Sequence, residues 1–155
     1  MHWQKALAIL AAAVLVTLHA SAEADAQARR GGPSGAQLLG AAERGDPRAQ
    51  ARVAFMYETG RGLPQDYYQA AGWYHRAAES GFPPAQHRLG LLFDKGQGVP
   101  EDYVEAYKWL NLAASAAPPA QREFYLRVRD AVARKMTHIQ LTQAQWLSTH
   151  WRPRP

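Results

Sequence analysis

The sequence predicts an all-α protein in which a helix–turn–helix unit occurs twice. Shifting the chain by 36 residues aligns residues 42–77 with residues 78–113, and fifteen of the 36 aligned pairs are identical without a gap. Chance gives about two or three identities at an ordinary composition. In both copies apolar residues recur at the spacing of one helix face, and glycine and proline interrupt them at the same places. These observations place both units in one helical domain, predicted over residues 36–150.

The N-terminal segment, residues 1–26, is predicted to be a signal peptide. Its apolar run, residues 6–18, is too short to span a bilayer, which takes about 20 residues. Cleavage patterns of the A-x-A type end at Ala22 and at Ala26, and the sequence leaves the choice between them open. Residues 27–35 are predicted to form a flexible linker. The exported chain would then be periplasmic or secreted, without a stable membrane span; an uncleaved N-terminal anchor is the alternative.

The first helix of each unit is predicted from its start, its end and its apolar face. Asp46 is a good N-cap, and Pro47 and Pro83 suit the first helical position. Gly60 and Gly96 end these helices, because glycine accepts the left-handed conformation found after a helix C-terminus. The apolar positions between them are Ala49, Val53, Met56 and Tyr57 in the first unit and Ala85, Leu89, Leu92 and Phe93 in the second.

The second helix of each unit begins at an aspartate that can cap it, Asp66 or Asp102. Gln69 and Glu105 follow three residues later, which predicts a capping box in each helix. On the buried face, small residues let the helices approach closely while one indole fills the remaining space. We expect both tryptophans to be structural. The residues of this face are Ala70, Trp73 and Ala77 in the first unit and Ala106, Trp109 and Ala113 in the second.

Both ends of so short a stack need covering, because each unit leaves an apolar face open. Residues 37–43 match the end of a second helix and are predicted to cover the first unit. Residues 118–150 are predicted to form C-terminal capping helices that cover the second unit. Residues 151–155 are predicted to be a loose tail.

The C-terminal capping helices are predicted from two patterns. The G-x-G turn that ends the first helix of each unit does not occur here, so one longer helix is predicted over residues 121–136. Its apolar residues recur at spacings of four, beginning with Phe124. A capping box at Thr137 and Gln140 opens the last helix. Trp146 is expected to pack inward from that helix.

Composition excludes several kinds of chemistry. The chain has no cysteine, so disulfides, thiolate metal sites and a cysteine nucleophile are absent. The G-x-G pairs end helices instead of following strands, which disfavours phosphate binding. Asp66 and Asp102 are explained as caps, the histidines show no metal-ligand spacing, and no serine has a hydrolase context. We therefore predict no catalytic residue, no cofactor and no metal.

One longer motif runs through both units. It begins with A-Q-x-x-[LV]-[GA] from Ala49 and Ala85. It continues as [YF]-x-x-G-x-G-[LV]-P-x-D-Y and ends in A-x-x-W-x-x-x-A-A-x-x-G, where Ala117 replaces the second closing glycine. Through this motif the two units resemble the Sel1-like repeat family, and the resemblance covers residues 36–121. It implies a right-handed α-solenoid of the tetratricopeptide type and an association with scaffolding, protein–protein contact and bacterial envelope signalling, with catalysis unusual.

If the register follows the tetratricopeptide pattern, the first helices line a concave surface. Phe55 and Leu91 would form an apolar strip flanked by Glu58 and Asp94, which suits a short peptide with a basic end. The alternative is that these residues pack under neighbouring helices. The predicted protein-binding residues are Arg48, Phe55, Glu58, His87, Leu91, Asp94 and Lys95.

The sequence thus predicts a non-enzymatic protein-binding or scaffold module of the bacterial envelope, with a regulatory role open. Its partner would be an envelope or periplasmic protein, and nucleic acid is not expected for an exported chain. A second hypothesis comes from residues 121–155, which hold seven lysines and arginines against two acidic residues. Those cations would suit a polyanion or a cell-wall polymer. A cell-wall or β-lactam hydrolase is the third and least favoured hypothesis.

Overall fold

The computed structural model describes residues 35–154, and within that range the chain forms seven α-helices and no strand. The predicted all-α repeat fold is confirmed. The signal peptide and the linker up to residue 34 lie outside the described residues, and Gly35 is the first residue of a helix instead of the end of the linker. The helices are α1 (Gly35–Glu43), α2 (Pro47–Thr59), α3 (Tyr67–Glu79), α4 (Pro83–Lys95), α5 (Tyr103–Ala116), α6 (Pro119–Ala133) and α7 (His138–His150).

Residues 38–154 belong to one compact unit, and the fold described below is that of this unit. In it α2 pairs with α3 and α4 pairs with α5, while α3 also packs against α4. Alanines at the crossings allow this close approach, as does Gly90, which faces α5 from α4. A methyl group at Gly90 would meet Leu110 Cγ at 2.7 Å and the Ala106 carbonyl oxygen at 3.0 Å.

The helix ends follow the sequence prediction closely. The Asp46 side chain accepts hydrogen bonds from the backbone N–H groups of Arg48 and Ala49 at 2.8 and 3.2 Å. Gly60 and Gly96 adopt left-handed φ angles of 72° and 63° directly after α2 and α4. These contacts satisfy backbone groups that the helices leave open at their ends.

The capping box predicted in α5 forms only in part. Asp102 accepts from the backbone N–H of Glu105 at 3.1 Å. The Glu105 carboxylate instead accepts from Trp109 Nε1 at 3.0 Å and lies 2.6 Å from Lys108 Nζ. An ion pair and an indole donor therefore outweigh the reciprocal cap. The complete box occurs at the start of α7, between Thr137 and Gln140.

One buried hydrogen bond recurs between helices of the stack. Gln50 Nε2 donates to the Ala42 carbonyl oxygen at 3.1 Å, and Gln86 Nε2 donates to the Ala78 carbonyl oxygen at 3.2 Å. Each bond ties the first helix of a unit to the last turn of the helix before it. The corresponding Gln121 is exposed and instead accepts from Tyr125. The repeat therefore does not continue in the same geometry into α6.

The C-terminal helices differ from the prediction in their bounds and in their packed faces. The first of them ends at Ala133, not at residue 136, and Phe124 is 50% exposed. Tyr125 and Val132 are its buried residues. The prediction that Trp146 packs inward is also wrong, because α7 packs against α5 through Ala144 and leaves the Trp146 side chain 58% exposed.

The prediction of a loose tail is wrong for residues 151–154. The Trp151 ring meets the Trp109 ring edge to face, with 6.1 Å between their centroids. The Arg154 backbone N–H donates to the Glu79 carbonyl oxygen at 2.8 Å, and its guanidinium lies 3.1 Å from the Glu79 carboxylate. Aromatic burial and this paired contact offset the entropy lost when the tail is ordered.

Candidate functional site

Two adjacent cavities lie along the first helices of the units. One, of about 550 Å³, is lined by residues of α2, α3, α4 and α6, and the other, of about 600 Å³, by residues of α1, α2 and α4. Ala51, Phe55 and Pro84 line both cavities, so the two form one continuous groove. We call the part beside His87, Phe124 and Tyr125 the aromatic end, and the part beside Arg48, Arg52 and Arg61 the arginine end.

The groove contains some of the predicted binding residues and omits others. Phe55, His87 and Leu91 line the aromatic end, and Arg48 lines the arginine end. Phe55 is 38% exposed although it is a large apolar residue. The remaining predicted residues, Glu58, Asp94 and Lys95, line neither cavity.

Glu58 and Asp94 already have partners within the chain. The Glu58 carboxylate accepts from the Tyr74 hydroxyl at 2.6 Å and lies 3.2 Å from the Arg88 guanidinium. Burial, together with the bond to this carboxylate, raises the pKa of Tyr74 well above its ordinary value. Asp94 pairs with Lys135 at 2.8 Å. The expectation that these two acids flank a basic peptide end is therefore not supported by their geometry.

His87 forms the floor of the aromatic end. It is 7% exposed, and its ring stacks on Tyr125 with 4.4 Å between centroids and 19° between planes. Burial, and then the positive charge of Arg88, lower the pKa of His87 to about 4. The imidazole is therefore neutral at pH 7. Its Nε2 atom is buried without a hydrogen-bond partner in the described part of the chain.

We expect the buried His87 to make stability fall in acid. Unfolded histidine binds a proton near pH 6.5, whereas the folded pKa is about 4, so the unfolded state holds more protons between these values. As the pH falls through this window, the free energy of unfolding should drop by about 3 kcal/mol.

Urea unfolding at a series of pH values measures this effect. His87→Phe keeps the stacking on Tyr125 and removes the titrating group, so the difference between the two proteins isolates His87 from the carboxylates. Equal pH dependence in both proteins would show that His87 is not buried as the structure has it.

The sequence prediction missed the two aromatic rings that α6 contributes to the groove and three of the four arginines that line it. Arg52 and Arg61 are exposed, as is Arg48, and the three form no ion pair within residues 35–154. Phe124 and Tyr125 come from α6, whose register departs from that of α2 and α4. The available indication was the aromatic pair itself, two residues after the A-Q pair in the first turn of α6.

The basic C-terminal residues are partly neutralised. Arg129 pairs with Asp130 at 2.6 Å, Lys135 with Asp94 and Arg154 with Glu79. The Arg122 and Arg152 guanidinium groups donate to backbone carbonyls. Arg127 and Arg134 are exposed and have no ion pair in the described range. The positive field of this region is therefore weaker than its composition suggests.

Among residues 35–154, no group of three or more histidines, aspartates and glutamates lies close enough together to hold a metal ion. No helix in the same range has the length and apolar character needed to cross a bilayer.

Stacked helix pairs with a groove along the first helix of each pair define an α-solenoid repeat protein. The chain belongs to the Sel1 repeat family, whose model matches residues 47–82 and 83–117. A crystal structure of a Sel1 repeat protein from Oxalobacter formigenes is 42% identical over 59% of this chain and 68% of that chain, with a TM-score of 0.55.

A second solved structure is a protective antigen present in uropathogenic Escherichia coli strains, described as displaying an SLR fold. It is 32% identical and covers 81% of this chain, with a TM-score of 0.71. The present chain spans only 28% of that protein's length. No curated protein sequence matches this chain. Sel1 repeat proteins are generally scaffolds for protein interaction and are typically not catalytic.

Proposed function

We propose that this protein is a non-enzymatic scaffold module that binds another protein in the groove along α2 and α4. The observation that carries the proposal is Phe55, a large apolar side chain that is 38% exposed where the two cavities meet. Exposed apolar surface in a concave site is a common mark of a binding site. The signal peptide predicted from the sequence supports a role in the bacterial envelope, with an envelope or periplasmic protein as the partner.

Crosslinking of the tagged protein in its host envelope tests this proposal. The variant Phe55→Glu/Leu91→Glu puts two charges into the aromatic end and should abolish capture of a discrete partner protein. The control Tyr68→Glu/Ile139→Glu makes the same chemical change at residues that are 75% and 79% exposed and lie outside the groove. Capture lost in the first variant and kept in the second supports the groove, whereas equal capture by all three proteins contradicts it.

A second candidate function is binding of a polyanion or cell-wall polymer by the C-terminal helices. Arg127 on α6 and Arg134 directly after it favour this function, because both are exposed and form no ion pair within the described residues. In the same crosslinking experiment this function predicts capture of polymer alone, unchanged by Phe55→Glu/Leu91→Glu and weakened steeply by salt.

A further inference from the structure

We propose that the groove binds an extended acidic peptide segment, with carboxylates along Arg48, Arg52 and Arg61 and an apolar side chain in the aromatic end. The inference rests on the proposed function and specifies the chemistry of its partner. It reverses the charge expected from the sequence, which pointed to a basic peptide end.

The charges around the groove are complementary to an acidic ligand. In the described part of the chain, no aspartate or glutamate lines either cavity, while Arg48, Arg52, Arg61 and Arg88 do. Arg88 already pairs with Glu58. The other three guanidinium groups keep their donors available, and a guanidinium binds a carboxylate through two parallel hydrogen bonds.

The spacing of the arginines suits an extended chain. Arg48 and Arg52 are four residues apart on α2, so they lie on one helix face about 5–6 Å apart at Cβ. Alternate residues of an extended peptide point the same way and are about 6.6 Å apart. Acidic residues at positions i and i+2 of the ligand would therefore match the two arginines.

The apolar lining of the groove indicates that the ligand also carries apolar side chains. Leu38 and Met56 lie beside the arginines in the same cavity, and an apolar floor strengthens the attraction between charges above it. At the other end, the neutral His87 ring, Phe124 and Leu91 offer an apolar surface. The unpartnered His87 Nε2 would gain a hydrogen-bond partner from a bound group that reached it.

Selection from a random peptide display library on the immobilised full chain tests the inference. We expect enrichment of peptides with acidic residues at alternating positions, followed by an apolar or aromatic residue. For the best peptide, Arg48→Glu/Arg52→Glu should raise Kd about tenfold or more, and higher salt should weaken binding to the wild type. The control Arg127→Glu/Arg134→Glu changes the net charge equally outside the groove and should leave Kd unchanged.

Three outcomes would overturn the inference: enrichment of neutral or basic peptides, no enrichment at all, or equal weakening of binding in both charge-reversal variants. None of them decides the proposed function, because capture of an envelope protein that depends on Phe55 and Leu91 is measured separately. An acidic peptide whose binding depends on Arg48 and Arg52, but not on Arg127 and Arg134, would support the inference.

Discussion

Replacing Trp109 with alanine is expected to lower the free energy of unfolding by about 3–5 kcal/mol. Trp109 is fully buried, its Nε1 donates to Glu105, and its ring contacts His75 and Trp151 edge to face. The substitution removes a large apolar volume that small neighbouring residues cannot refill. A loss of this size would unfold much of the population of a marginally stable domain. Urea unfolding followed by circular dichroism measures it.

The same substitution at Trp73 provides the comparison. Trp73 occupies the equivalent position of the first unit but is only half-buried, with the Arg76 guanidinium 4.9 Å from its ring centroid. Trp73→Ala should therefore reduce the free energy of unfolding by about 1–2 kcal/mol, less than Trp109→Ala. If Trp109→Ala left the melting temperature unchanged, or if both variants lost equal unfolding free energy, Trp109 would not be packed in the core as the structure has it.

Replacing Gly98 with alanine is expected to destabilise the protein by about 3 kcal/mol or more. A methyl group there would overlap the Tyr67 carbonyl oxygen, so either the loop or the first turn of α3 must move. Gly98 also has a φ angle of 71°, which alone costs a residue with a side chain about 1–2 kcal/mol. Because the overlap is with backbone atoms, no change of side-chain rotamer can relieve it.

Gly62→Ala is the matched control for Gly98→Ala. Gly62 holds the same place in the first unit, with a φ angle of 87°, but a methyl group there would meet only the end of the flexible Met56 side chain. Both variants carry the same kind of backbone strain, and their difference in unfolding free energy measures the overlap. Equal losses in urea unfolding would contradict the close approach of Gly98 to α3.

The regular part of the fold could be predicted from the sequence because its determinants are local or repeated. The cap at Asp46 and the left-handed glycines depend on neighbouring residues, and the identity between the units fixed the order of helices. Competition between partners was not predictable. The Glu105 carboxylate could accept from the backbone N–H of Asp102, from Lys108 or from Trp109 Nε1. Only the folded geometry shows that the last two contacts form. Likewise, nothing in the sequence made Trp73 less buried than Trp109.

The candidate groove was predicted only in part, because each of its ends holds both predicted and unpredicted residues. Phe55, His87 and Leu91 belong to the repeated helices, so their common face follows from the repeat. Asp94 does not take part, because Lys135, 41 residues further along the chain, neutralises it. The aromatic end depends on Tyr125, whose helix departs from the repeat register. Contacts between residues distant in sequence and outside the repeat cannot be derived from periodicity.

The contacts of residues 151–154 change how the domain should respond to unfolding at its ends. In an open array of repeats, each unit contacts only its neighbours, and the terminal units fray independently. Here Arg154 forms an ion pair with Glu79, and the Trp151 ring packs against the Trp109 ring. The last described residues therefore link the end of α3 to the centre of α5. Fraying of α7 would first have to break these long-range contacts. Cleavage after residue 150 would remove these contacts, and we expect the C-terminal helices then to fray more readily.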